Sequence, residues 1–585
     1  MIVRPKRIYR KRIPYGMQNF EDVIKEDCYY VDKTPFIEQI EESNKYFFFI
    51  RPRRFGKTLT LSMLENYYDI NKKDKFEEIF GKLYIGQNPT PEHNTYLIIH
   101  LNFAEVAAGL DDYKDGLDNH CSLVFNFFCD IYAHILPAGI KEGLEKLTDA
   151  VSQLRFLCQK CQEVGKKIYL FIDEYDNFTN MILAHEEHLV RYRNQPHGEG
   201  YLRQFFNTIK GAAGNTLGRV FVTGVSPVTM DDLTSGFNIG TNYSLSPKFN
   251  EMTGFTEEEV REMLDYYGSV LPFNHTTDEL IKVMKPWYDN YCFAIKSYGK
   301  TTMYNSVMVL NFISNYIDNE YDIPDSMVET NIRIDYDKLR MLIRHDKEFA
   351  HDASIIQQLV TQGFVTGTLN ENFPAERIND PDNFLSLLFY FGMVTIDGTY
   401  KGETKFIIPN EVVRDQMYTY LLDTYKENDL VYDRYSKGKL ESKLAYDGQF
   451  KPYFEYIADC LKKYSSQRDK QKGEAFVHGF TLAMTSQNKF YRPISELDND
   501  GGYADIFLSP LCDIYKDMVD SYIIELKYCK SQTTDEQVKK LFEEASAQIS
   551  RYAESDMVRE AVKTTKLHKL VVIYRGAEMV ACEEI

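Results

Sequence analysis

The chain has 585 residues, room for about three to five domains at ~100–200 residues each. Its net charge of −19 argues against a generally adhesive nucleic-acid binder, and its 44 % hydrophobic content is enough for ordinary globular cores. The lack of any run of about 18 uncharged apolar residues excludes a membrane-spanning helix. The basic N-terminus MIVRPKRIYRKRIPYG lacks the apolar stretch of a secretory signal, and ten scattered cysteines fit free thiols in a reducing cytoplasm.

In chain order, the first predicted element is a strand, Tyr46–Arg51 (YFFFIR). It runs into Arg51-Pro52-Arg53-Arg54-Phe55-Gly56-Lys57-Thr58 and then into a helical pattern, LTLSMLENYY. Strand, glycine turn, Lys-Thr and helix form the context of a Walker A phosphate loop. In that reading the backbone of Arg53, Arg54, Phe55, Gly56 and Leu59 cradles phosphate. Lys57 reaches the β- and γ-phosphates, and the hydroxyl of Thr58 ligates Mg²⁺. Arg51 stands where the motif usually begins with glycine.

Further apolar runs follow at Tyr96–Phe103 (YLIIHLNF), Ile168–Asp173 (IYLFID) and Val220–Gly224 (VFVTG). Runs apolar on both faces predict buried parallel strands with helices between them, an α/β domain. Asp173 and Glu174 end the third run as a Walker B pair: Asp173 holds the Mg²⁺ shell and Glu174 polarises the attacking water. Thr223, with Ser226 second, is the candidate γ-phosphate sensor on a strand inserted between the two Walker strands. Arg203, in YLRQFFNTIK, reads as a surface arginine rather than an arginine finger. Cys158 and Cys161 form one C-x-x-C without a second pair, and read as two residues of one helix.

From Thr256 the pattern turns helical, with Glu257-Glu258-Glu259 in the first turn behind a Thr cap. Residues 335–425 read as mostly helical, ending in a hairpin of Met393–Ile396 and Lys405–Ile408 around Asp397-Gly398. The polar stretch Tyr425–Lys439 reads as a linker. Strands are then predicted at Ala504–Leu508, Tyr522–Lys527 and Lys569–Tyr574.

In this last part Asp505 and Glu525 lie on neighbouring predicted strands, placed to hold Mg²⁺ together. Lys527 follows Glu525 by two residues and so shares its strand face. From there it can orient water or steady the charge of a phosphorane. Glu474, before the run AFVHGFTLAM, could complete the metal shell. Gln548 in AQISRY is a supporting polar group, with Tyr552 one turn on.

The ordered motifs resemble a bacterial AAA-ATPase-like family that joins a P-loop domain to a C-terminal PD-(D/E)XK nuclease-superfamily domain. The similar stretches are Ile13–Phe20 (IPYGMQNF), Tyr30–Thr34 (YVDKT), Arg51–Thr58, Phe171–Asp176 (FIDEYD) and Thr223–Ser226 (TGVS). Asn238–Val260, Trp287–Phe293 (WYDNYCF) and Met303–Phe312 (MYNSVMVLNF) continue them. The resemblance makes Arg51 a family trait. Asn290 stands where the family usually has Gly and Ser306 where it often has Pro, neither expected to touch the phosphate site.

The resemblance implies an α/β fold. A P-loop NTPase core, a parallel sheet with helices on both faces, spans 1–254, and a helical lid spans 255–330. Helices followed by a hairpin make 331–428 read as a helical or winged-helix-like subdomain, and the resemblance makes 429–585 a PD-(D/E)XK-type α/β domain. ATP and Mg²⁺ are the expected cofactors, nucleic acid (DNA first) the expected partner, and self-assembly is compatible with the pattern. Two readings of function stand side by side. One is an ATP-regulated, Mg²⁺-dependent nuclease of genome defence or mobile-element handling. The other is a nucleotide-dependent switch or scaffold whose tail binds a partner without cutting, which the acidic charge and 43 tyrosines also fit.

Overall fold

A computed structural model describes residues 10–106, 113–177, 198–228, 239–324, 326–328, 355–374, 377–378, 380–427, 430–465, 473–495, 505–512, 514–554 and 556–585. They fold as two compact units. The first holds the described residues up to Asp322 together with Thr366–Asn410, and the second holds those of 349–365 together with Glu411–Ile585.

In the first unit β1 (Tyr46–Ile50), β2 (Tyr96–Asn102), β3 (Lys167–Asp173), β4 (Leu217–Gly224) and β5 (Thr241–Asn242) form a parallel sheet in the order β2-β3-β4-β1-β5. The apolar runs seen in the sequence are these strands, and β4 does lie between β1 and β3. Both faces of β4 are buried along its whole length, which is why it reads as a continuous apolar run rather than an alternating one. Aromatic rings fill the sheet's face: Tyr169 stacks on Phe171 at 4.2 Å, and Phe47 stacks on Tyr243 at 4.5 Å and on Phe221 at 4.9 Å. Burying each such ring contributes roughly 1.5–3 kcal/mol.

The helices used below are α1 (Lys57–Tyr68), α2 (Tyr113–Ile131), α3 (Ala150–Glu163), α4 (Gly198–Ala212), α5 (Glu257–Val270), α6 (Thr277–Tyr288) and α7 (Ser306–Asp318). Thr256 and Glu259 close a capping box on α5, as the sequence predicts, and Thr276 and Glu279 do the same for α6. The hairpin is β6 (Thr395–Tyr400) and β7 (Glu403–Ile407), but its turn is not Asp397-Gly398. Tyr400 pairs with Glu403, so the loop is Lys401-Gly402, both at positive φ (51° and 92°) as a type I′ turn requires. Asp397-Gly398 sits where the register shifts between Ile396 and Thr399, a bulge that Gly398 accommodates at φ 83°.

The second unit contains α8 (Ile355–Gln362), α9 (Glu411–Glu427), α10 (Arg434–Asp447), α11 (Glu474–Ser486) and α12 (Asp535–Tyr552). Its sheet runs β12-β11-β10-β9-β8, built from β8 (Tyr491–Ser495), β9 (Ile506–Pro510), β10 (Asp520–Cys529), β11 (Lys566–Arg575) and β12 (Glu578–Glu584). β10 and β11 pair in parallel, and the other neighbours are antiparallel. Ala504, read as the start of a strand, lies outside the described residues, and the strand runs from Ile506.

The stretch 425–439 is not the expected polar linker. α9 continues to Glu427, α10 starts at Arg434, and Tyr425 and Leu430 are buried. Asp433 caps α10 by accepting the N–H of Tyr435 and Ser436, so a polar run that resembles a linker is largely helix ends. The segment 331–428 is divided: Thr366–Asn410 folds with the first unit and Glu411 onward with the second. Residues 331–354 lie outside the described ones.

Candidate nucleotide site and nuclease-like site

β1 delivers the chain into the loop Arg51–Gly56, which turns sharply because Arg54 (φ 69°) and Gly56 (φ 86°) adopt the left-handed region. α1 starts at once, so the N–H groups of its first turn face a cleft of about 460 Å³. Residues 53–60, Glu174 and, from the leading segment, Met17, Tyr29 and Tyr30 line this cleft. Lys57 Nζ lies 3.0 Å from the carbonyl oxygens of Arg51 and Pro52, and burial pulls its pKa down. Thr58 Oγ1 donates to Asp173 Oδ2 at 3.0 Å, across from α1 to the end of β3. The other carboxylate oxygen of Asp173 accepts the N–H of Glu174 at 2.8 Å, and Glu174 itself adopts φ 47°. Burial raises the Asp173 pKa against the opposing pull of Lys57, Thr58 and His100. A hydroxyl and a carboxylate joined beside a lysine fit a hydrated Mg²⁺ with a phosphate ligand.

Other sequence-predicted residues behave differently. Thr223 is buried, and its hydroxyl donates to Phe49 O at 2.6 Å; it is satisfied by β1 and not presented to the cleft. Ser226 is fully buried, with its Oγ accepting the N–H of Val228. Phe55 contributes backbone only, since its ring packs edge-on against Tyr291 (4.9 Å) and Phe293 (5.3 Å). Arg203 is exposed on α4. Ser306 does reach the loop, contrary to expectation: its Oγ donates to Arg54 O at 3.2 Å. Asn290 takes φ 79°, a region open to Asn and Gly, and so can replace the family's Gly.

Sequence reasoning assigned no role to Asp176. It is buried (1 %) and accepts N–H bonds from Val225 (3.2 Å) and Ser226 (2.7 Å), tying the end of β3 to the loop after β4. The third acid of FIDEYD was the available signal.

In the second unit Asp505 immediately precedes β9 and accepts the N–H of Leu526 on β10 at 2.7 Å. Lys527 Nζ lies 2.7 Å from Glu525 Oε1 and 3.8 Å from Asp505 Oδ2. The three groups therefore converge as the two-residue alternation of β10 predicts. Glu525 is 1 % exposed; burial first, then the charge of Asp505, pushes its pKa up to about 7 against the pull of Lys527. Glu525 Oε2 and Gln548 Oε1 on α12 are buried without a hydrogen-bond partner among the described residues. Glu474 is exposed at the first residue of α11; its charge acts on Glu525 and Lys527. Among the described residues no three His, Cys, Asp or Glu side chains are grouped as a metal cage. Two carboxylates with an unfilled oxygen fit Mg²⁺, which keeps several waters, better than a fully enclosed ion. His478, one turn after Glu474 and unremarked in the sequence, places Nε2 2.9 Å from Asp505 O and so fixes that backbone.

Residues 14–234 match the family model described as predicted AAA-ATPase, and residues 472–584 match the model of the PD-(D/E)XK nuclease superfamily. Over 288 residues the chain is 25 % identical to an uncharacterized protein in the vnfD 5′ region of Azotobacter chroococcum mcd 1. That match covers 48 % of this chain and 49 % of the relative, so it spans about half of that protein's length. Among solved structures, Cdc6p of Pyrobaculum aerophilum aligns at 12 % identity over 72 % of this chain and 97 % of its own, with a TM-score of 0.26. ORC2 of Aeropyrum pernix, an ADPNP–ADP complex, aligns at 9 % identity over 67 % and 93 %, with a TM-score of 0.32. ORC1 of the same organism, solved with DNA, aligns at 9 % identity over 66 % and 92 %, with a TM-score of 0.28.

Proposed function

We propose that this chain, which joins an AAA-ATPase-like domain to a PD-(D/E)XK nuclease-superfamily domain, binds and hydrolyses ATP with Mg²⁺. We further propose that its nucleotide state governs Mg²⁺-dependent cleavage of nucleic acid, DNA first. The observation that carries this reading is the presence, in one chain, of two separate groupings suited to phosphate chemistry. Thr58 on Asp173 beside Lys57 is one; Asp505, Glu525 and Lys527 converging on adjacent strands is the other.

At the first, Lys57 leaves the carbonyls of Arg51 and Pro52 and takes the β- and γ-phosphates instead. Thr58 and Asp173 hold the metal, and Glu174 orients the attacking water. At the second, Asp505 and Glu525 hold the metal, Lys527 steadies the charge that develops on the scissile phosphate, and Gln548 supports the site. Bound Mg²⁺ supplies Lewis-acid polarisation of phosphate oxygens in both places. Among the described residues no helix is long and apolar enough to cross a membrane.

The test is direct. Purified protein is incubated with single- and double-stranded DNA and RNA, with Mg²⁺ or Mn²⁺, with and without ATP, alongside Asp505→Ala and Lys527→Ala. Cleavage by wild type that both variants lose by about 10²-fold or more supports the reading. No cleavage of any substrate, with nucleotide binding intact, favours the switch or scaffold reading instead. For the ATP site, Lys57→Ala abolishes nucleotide binding and Glu174→Gln binds ATP without turning it over; binding that survives Lys57→Ala overturns the assignment.

A further inference from the structure

His100 lies on β2, beside the strand that ends in Asp173. The parallel register pairs His100 with Phe171 and Asn102 with Asp173. Side chains alternate along a strand, so His100 and Asp173 share one face of the sheet, a single pleat apart. α1 covers that face. Thr58 and Glu65 lie two turns apart on α1 and therefore on the same flank. Thr58 Oγ1 meets Asp173 Oδ2 at 3.0 Å, and Glu65 Oε1 meets His100 Nδ1 at 2.5 Å. The second ring nitrogen, Nε2, is shielded from solvent and has no hydrogen-bond partner among the described residues.

A buried polar atom left without a partner costs ~1–3 kcal/mol, a cost that a water held beside Nε2 would relieve. The carboxylates whose charge acts on the ring include Glu65 and Asp173. The other titratable groups acting nearby are Glu105 and His120. Rings beside metal-binding groups commonly spend one nitrogen on an orienting carboxylate and leave the other for the site.

We propose that His100 is a positioning residue of the nucleotide site, with the Glu65 carboxylate in charged contact with Nδ1 and with Nε2 bonding the water shell of the Mg²⁺ beside Asp173. This rests on the ATP reading above. A Gln side chain can place a polar group near the position of Nε2, whereas Asn reaches only as far as Nδ1.

The experiment titrates a fluorescent ATP analogue into wild type, His100→Asn, His100→Gln and Glu65→Gln, at Mg²⁺ concentrations from zero to millimolar, with thermal melts alongside. The expected result is that His100→Asn and Glu65→Gln raise the Mg²⁺ concentration needed for half-maximal tightening by about 10-fold. Metal-free nucleotide affinity stays unchanged, and His100→Gln recovers most of the loss. A Mg²⁺ response in His100→Asn equal to wild type overturns the proposal alone, as does an equal loss of affinity with and without the metal. A wild type that binds no nucleotide overturns the ATP reading, and this proposal with it.

Discussion

Arg51 occupies the position where a phosphate loop ordinarily begins with glycine, yet it does not face the phosphate cleft. Its guanidinium is buried between the rings of Phe49 (4.2 Å) and Phe293 (4.3 Å) and donates to the carbonyls of Ile50 (3.0 Å), Ser244 (2.5 Å) and Phe249 (3.0 Å). Restoring the usual glycine therefore removes a staple rather than repairing a motif. Arg51→Gly is expected to destabilise the first unit by about 2–4 kcal/mol, and Arg51→Lys recovers little, because an ammonium lacks the planar fork that stacks and donates in several directions. Thermal melts of the two variants check this; a glycine variant as stable as wild type refutes it. Glu525 gives a second prediction at this scale. Its pKa rises from 4.5 to about 7 in the folded protein, chiefly through burial. Between those values the folded state holds a proton that the unfolded state has released, so this residue makes stability fall as pH rises through the window and level off above it. Glu525→Gln removes the effect. The difference between the melting curves of the variant and wild type should grow in the variant's favour from pH 5 to pH 8, while divalent-ion binding is lost. A difference that does not change with pH refutes it.

The ends of β3 and β4 are held by packing that leaves no space at Gly224. A Cβ there would lie 2.3 Å from Asp176 Oδ1 and 2.6 Å from Tyr175 Cδ1. Neither neighbour is free to yield: Asp176 binds the loop after β4, and the hydroxyl of Tyr175 donates to Ser226 O. Gly224→Ala is expected to cost about 1–3 kcal/mol and to weaken nucleotide binding, because Asp173 and Glu174 lie directly before this junction. A melt together with a nucleotide titration reads both effects. The β6–β7 hairpin makes the opposite prediction. Lys401 carries a left-handed backbone (φ 51°) that asparagine tolerates better, so Lys401→Asn should stabilise by about 0.5–1 kcal/mol in the same melt. These elements also show what the sequence could reveal. Strands apolar on both faces were legible, and so were the Lys-Thr loop and the acid pair at a strand end, because burial and motif spacing leave a linear trace. The direction of Thr223 was not, since a hydroxyl at a strand end can face a ligand or a neighbouring carbonyl. The hairpin turn was misplaced because Asp-Gly suits a bulge as well as a turn, while a lysine at positive φ leaves no compositional mark. Asp176 and His478 were missed because each acts through backbone atoms far away in sequence.

At the scale of the whole molecule, the second unit draws on more of the chain than its nuclease-like motifs suggest. The motifs invite a cut at residue 429. Yet α11, which carries Glu474 and the His478 that holds Asp505, has its Gly479 within van der Waals reach of both α8 and α9. A Cβ at Gly479 would lie 3.5 Å from Thr361 Cγ2 and 3.8 Å from Tyr425 Oη. α9 buries Met417, Tyr418, Leu422 and Tyr425 in this unit, all at most 7 % exposed. At roughly 1.5–3 kcal/mol for each buried side chain, those four alone contribute about 6–12 kcal/mol, comparable to the whole stability of an ordinary domain at ~5–15 kcal/mol. A fragment of residues 429–585 loses that contact and α8 as well, exposing the apolar back of the helix that positions Asp505. It should therefore fail to unfold cooperatively, expose apolar surface and bind Mn²⁺ weakly. A fragment of residues 411–585 recovers part of the cooperativity, because α9 returns to α11. Circular dichroism melts, a dye for exposed apolar surface and Mn²⁺ calorimetry on the two fragments and the full chain decide the matter. If residues 429–585 melt as sharply as 411–585 and bind Mn²⁺ as well, α9 belongs functionally to the nucleotide-binding half, and the nuclease-like tail is a smaller, separable unit.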